Sequence, residues 1–105
     1  MARDETEIRQ AIVKKARGLF YSKGVSRTTT QELAEEVGIS KKTLYRFYPE
    51  KEVIAEEVVR GELEALEREV NEIFALEEVS FTERFSLLFR KIFGVIEKFG
   101  PLWMG

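Results

Sequence analysis

The sequence predicts an all-α chain, and three observations carry that prediction. Apolar residues recur at spacings of three and four, paired helix-capping residues recur ahead of those stretches, and Gly24, Gly38 and Pro49 fall between them. The expected architecture is a three-helix unit containing a helix-turn-helix, then a long fourth helix, then the start of an all-helical C-terminal domain.

The first helix opens near Asp4 and lines up Ile8, Ala11, Ile12, Ala16, Leu19 and Phe20 on one face. Gly24 stops it, because the residue after a helix commonly needs a backbone conformation that only glycine adopts freely. Thr29 with Glu32 three residues on forms a capping box, so a second helix is expected from about Thr30 to Val37, with Leu33, Ala34 and Val37 inward. Gly38 ends that helix and Ser40 caps a third, over Lys41 to Phe47. Two helices joined this tightly cannot lie antiparallel.

Proline disfavours the helical conformation in the residue before it and fits the first position of a helix. Pro49 is therefore expected to close the third helix and open a fourth that runs to roughly Leu76. Its inner side is expected to carry Val53, Ile54, Val58, Leu66, Val70 and Ile73. Ser80 and Glu83 form a second capping box and start a fifth helix.

At 105 residues, with 44% hydrophobic and 34% charged, the chain is expected to fold around one modest core. The charged opening "MARDETEIRQ" and the absence of a long apolar run point to the cytoplasm. With no Cys and no His, the chain lacks the usual thiol nucleophile, general base and zinc ligands. Neither an enzyme nor a metal or cofactor site is expected, and glutamates such as Glu69 and Glu72 read as a solvated face.

Charge is distributed unevenly. Residues 1–51 carry 11 Lys+Arg against 7 Asp+Glu, and residues 52–105 carry 6 against 12. A basic front half in an acidic chain suggests a polyanion as partner. On the third helix, Leu44 and Tyr48 share one direction with Phe47 beside them, while Lys41, Lys42, Tyr45 and Arg46 cover the opposite arc. A short helix docked on one side and basic on the other suits the major groove of DNA. Lys51 in the first turn of a helix faces the positive end of the macrodipole, an arrangement that a phosphate would relieve. The plainer alternatives are pairing of Lys51 with Glu50 or Glu52, and a solvated basic face that serves as a protein-interaction module for an acidic partner.

The stretch "TTTQELAEEVGISKKTLYRFYPEKEVI", Thr28 to Ile54, resembles the DNA-binding segment of TetR-type transcriptional regulators, and the first helix resembles the same family upstream. The resemblance implies a sequence-specific regulator, most often a repressor, that binds a palindromic operator in double-stranded DNA as a homodimer. It implies phosphate contacts from Thr30, Thr43, Tyr45 and Lys51, and base contacts from Gln31, Lys41, Lys42 and Arg46; Tyr45 can do both. Where many relatives carry a phosphate-binding Tyr or His, this chain has Phe47, which cannot make that bond. Either the basic residues compensate or Phe47 turns fully inward.

By the same resemblance, residues 1–51 are the DNA-binding domain, and residues 52–105 are the connecting helix and the beginning of a domain for dimerisation and a small effector. Family members run to about twice this length. Phe81, Phe85, Leu88, Phe89, Ile92, Phe93, Ile96 and Phe99 occupy more than one face of helix five, so a truncated chain is expected. Phe89, Phe93 and Trp103 are the candidates to line an effector pocket.

Overall fold

The computed structural model describes residues 4–104, apart from the side chains of Pro101, Trp103 and Met104. Five helices follow one another: α1 (Glu5–Lys23), α2 (Thr30–Val37), α3 (Lys41–Phe47), α4 (Lys51–Ala75) and α5 (Phe81–Met104). There is no strand among the described residues.

The helix starts are built as local chemistry dictates. Asp4 accepts the Glu7 N–H at 2.8 Å, and Ser40 accepts that of Thr43 at 3.1 Å. Both capping boxes close. Thr29 Oγ1 accepts from Glu32 N while Glu32 accepts from Thr29 N, and Ser80 and Glu83 repeat the exchange. The two glycine stops differ. Gly38 is left-handed at φ 84° and ψ 36°, whereas Gly24, at φ 87° and ψ 159°, lies in a mirror-extended region that excludes side chains more firmly still.

Pro49 does not open α4. The residue ahead of the first helical position must be extended, and Glu50 fills that role at φ −140° and ψ 148°. Lys51 becomes the first residue of the helix, and Pro49 belongs to the bend before it.

One core closes the first half. Ile12, Ala16 and Phe20 of α1, Leu33, Ala34 and Val37 of α2, and Leu44 and Tyr48 at α3 are all buried together. At about 25 cal/mol per Å² of apolar surface removed from water, side chains such as Phe20 and Ile12, fully enclosed, each contribute about 1.5–3 kcal/mol. The core does not stop at residue 51. Ile54, Ala55 and Val58 of α4 belong to it, and so does Leu102 near the end of α5. The Val25 N–H donates to the Leu102 carbonyl at 3.2 Å, so α5 returns to cover the α1–α2 connector.

Along α4 and α5 burial is thinner. Ile73 is buried, while Val53, Leu66 and Val70 are only half-buried. Leu88 and Phe99 of α5 are half-buried as well, but Phe81, Phe85, Phe89, Ile92, Phe93 and Ile96 are exposed. Arg84 ties the two helices at their junction, where its guanidinium donates to the carbonyls of Ile73, Phe74 and Leu76 at the end of α4. No helix is long and apolar enough to cross a membrane among the described residues.

Candidate nucleic-acid interface

The α2–α3 pair presents its polar side outward because its apolar side is fully used. Leu44 and Tyr48 are 1% and 3% exposed, which fixes the roll of α3 and leaves Lys41, Lys42, Tyr45 and Arg46 in solvent. Tyr48 is also pinned at its polar end, where its hydroxyl donates to Glu57 Oε2 at 3.1 Å. Burial first, then the Glu57 carboxylate, pushes the Tyr48 pKa up, so the phenol stays protonated and keeps donating.

The residues expected to hold phosphate fall into two groups. Thr30 Oγ1 and Tyr45 Oη lie 3.0 Å apart, which joins α2 to α3 through two hydroxyls at one surface. Thr43 sits two residues earlier on α3, its hydroxyl oxygen accepting from Ser40 Oγ at 3.0 Å. Lys51 is placed differently. Its ammonium donates to the carbonyls of Ser26 and Thr28 at 3.2 and 2.8 Å, and it forms no ion pair with Glu50 or Glu52. Those carbonyl dipoles offset the macrodipole clash at the start of α4. They also staple the connector ahead of α2 to the first turn of α4. An ammonium has three donors, so one is left over for an anion.

Among the residues expected at base edges, Lys41, Lys42 and Arg46 are exposed and none pairs with an acid among the described residues. Gln31 is engaged, since its amide donates to Glu35 Oε1 at 2.8 Å on the same helix. Sequence reasoning overlooked Glu35. The i,i+4 spacing of Gln31 and Glu35 was the available signal.

Phe47 does not turn fully inward. It is half-buried, with the guanidinium carbons of Arg46 and of Arg9 in α1 at 5.2 and 5.5 Å from its ring centroid. Both lie within cation–π range. Nothing in the linear pattern connects Arg9 with a residue of α3, so its presence here is decided by how α1 packs.

Lys23 at the end of α1 grips Glu32 through both carboxylate oxygens, at 2.7 and 3.0 Å, and so orients the start of α2. The Lys23 hydrogen bond, then the bond from Thr29 N, holds the Glu32 carboxyl below the usual carboxylate range. On the other side of α1, Tyr21 has a buried hydroxyl that makes no hydrogen bond of good geometry, with the Glu62 carboxylate close by. Burial first, then the nearby Glu62 carboxylate, pushes its pKa up to about 12.

Of the candidate effector-pocket residues, Phe89 and Phe93 have ring centroids 4.3 Å apart and line a depression of about 630 Å³. All of its lining residues come from α5, so it is an open face. The Trp103 side chain lies outside the described residues.

Comparison with known proteins matches this geometry to a family. Residues 12–58 match the family model described as bacterial regulatory proteins, tetR family. The chain is 34% identical over 94 residues to the nucleoid occlusion factor SlmA of Alteromonas mediterranea, covering 90% of this chain and 48% of that protein. It is 36% identical over 92 residues to SlmA of Vibrio vulnificus, covering 88% and 45%. The chain thus spans about half the length of these curated relatives, and the likeness runs through α4 and α5 as well as the first three helices. Among solved structures, the probable transcriptional regulatory protein RHA5900 superposes with a TM-score of 0.66 at 27% identity, over 84% of this chain and 46% of that one. Residues 12–58, which span α2 and α3 with parts of α1 and α4, thus form a segment of the tetR family of bacterial regulatory proteins.

Proposed function

We propose that this chain binds duplex DNA in a sequence-specific manner and regulates transcription, as a repressor whose α3 enters the major groove. The observation that carries this reading is the outward face of α3. Lys41, Lys42, Tyr45 and Arg46 stand exposed on a helix whose opposite side is locked into the core, and the cations lack acidic partners among the described residues. Lys and Arg match guanine O6 and N7, and Gln31, once released from Glu35, matches adenine. Thr30, Thr43, Tyr45 and the third donor of Lys51 would set the register on phosphates.

Two copies would pair through the region after residue 51, with α3 helices about 34–36 Å apart on a palindromic operator. A small effector bound in that region would change the spacing.

Selection of bound sequences from a random duplex library tests the reading. An enriched palindrome is expected, and Lys42→Ala or Arg46→Ala should change the preferred base in each half-site at a cost of about 1–3 kcal/mol. Retention without any enriched sequence would favour instead a basic-faced module for an acidic protein partner. A second reading, a role in nucleoid occlusion, is supported by the relatives' names and by identity over about nine-tenths of this chain. Transcript levels of genes beside the bound sites separate the two, since a repressor must change them on deletion.

A further inference from the structure

Two guanidinium groups gathered at one aromatic ring, neither of them in an ion pair among the described residues, can take an anion. The Arg9 and Arg46 guanidinium carbons lie 5.5 and 5.2 Å from the Phe47 ring centroid. Each gains attraction from the electron-rich ring face. Neither forms an ion pair among the described residues. Glu57, which lines the same depression as Arg9, accepts the Tyr48 hydroxyl at 3.1 Å and forms no ion pair with Arg9. Arg46 belongs to the outward arc of α3, so the ring brings a cation from the second turn of α1 to the edge of the same surface.

We infer that Arg9 is a DNA phosphate contact supplied by α1, held at the edge of the α3 surface by the ring of Phe47. The inference rests on the DNA-binding reading above and extends it to a helix outside the helix-turn-helix. Phe47 acts here as a positioning residue. It makes no polar bond to DNA and limits where the Arg9 guanidinium can go, so that less rotamer freedom is lost when the phosphate arrives. A guanidinium held over a ring by its charge keeps N–H groups free for a bidentate phosphate contact, which a lysine at the same place could not reproduce.

The test measures affinity of the full chain for two fluorescein-labelled duplexes, one carrying the selected site and one scrambled, across a salt series. Arg9→Gln is expected to weaken binding to both duplexes alike and to lower the slope of log K against log[salt] by about 0.9, the signature of one lost phosphate contact. Arg9→Lys should keep the slope near that of the parent chain with lower affinity. Phe47→Leu, which removes the ring, should shift affinity in the direction of Arg9→Gln. An unchanged slope in Arg9→Gln, with Lys51→Met still lowering it, would overturn the inference while leaving DNA binding intact. A full loss in Arg9→Gln with none in Phe47→Leu would remove the ring from the account. Binding by the parent chain that is insensitive to salt would instead count against the DNA reading itself.

Discussion

The three-helix unit α1–α3 and the α5 face of this molecule are built from the same kinds of residue and end in opposite states. In the first, each apolar face finds another. Phe20, Ile12, Leu33 and Leu44 are all within 1% of complete burial. In the second, Phe81, Phe85, Phe89 and Phe93 repeat every four residues and stack on one another, with centroids 6.3, 6.2 and 4.3 Å apart, yet stay 83%, 57%, 53% and 46% exposed. Rings at i and i+4 meet on one helix face by geometry alone and do not need a core. Apolar spacing identifies which side of a helix is apolar, and burial depends on whether a neighbour arrives to cover it.

The sharpest way to break this comparison is a matched pair of truncations. Phe20→Ala should cost about 3–5 kcal/mol in denaturant unfolding, because it opens a cavity in a closed core. Phe85→Ala should change stability by less than about 0.5 kcal/mol, as expected for an exposed position. A similar large loss for both would mean that the α5 face is covered in solution.

Lys51→Met comes next. It removes two charge-assisted bonds from the ammonium to the Ser26 and Thr28 carbonyls, and should lower stability by about 1–2 kcal/mol while also weakening DNA binding. Loss of binding with unchanged unfolding would assign Lys51 to phosphate alone and take the staple away from the connector.

The two capping boxes offer a smaller contrast. Thr29→Ala should cost about 1 kcal/mol, since α2 is embedded in the core and cannot fray without opening it. Ser80→Ala, ahead of a first turn that is exposed, should cost less and be felt as local fraying in amide exchange. Equal costs would indicate that α5 is coupled to the core along its whole length rather than through Leu102.

The smallest effect is one of pH. Glu32 has a depressed pKa in the folded chain, so its contribution is present above the ordinary carboxylate range and is lost as pH falls through its lower folded value. Glu32→Gln should therefore flatten the decline of Tm on the acid side and change little near neutrality beyond the loss of the Lys23 pair. An unaltered acid decline would place the sensitivity on other carboxylates.

Much of the interface was legible in the sequence because helix starts and stops are local. Thr29 with Glu32, Ser40 and Gly38 bound the two short helices to within a residue. Leu44 and Tyr48 predict which side of α3 faces out. Pro49 was misplaced by two residues, since proline fits both a helix start and the bend before one, and the extended Glu50 decided between them. For Phe47 the alternatives were compensation by the basic residues or a fully inward ring. The ring is only half-buried, with two guanidinium groups beside it, one of them from a residue 38 positions earlier in the chain.

The sequence by itself determined the five helices, their caps and the basic outward arc of α3, because each depends on residues within four positions of one another and on the period of the helix. Only the tertiary structure decided that Lys51 staples a connector, that Arg9 reaches Phe47, that Leu102 closes the first core and that the phenylalanines of α5 stay uncovered. Each of these turns on where one helix lies against another. That placement is a property of the packed whole, set by which side chains fill the space between helices, and no local spacing encodes it.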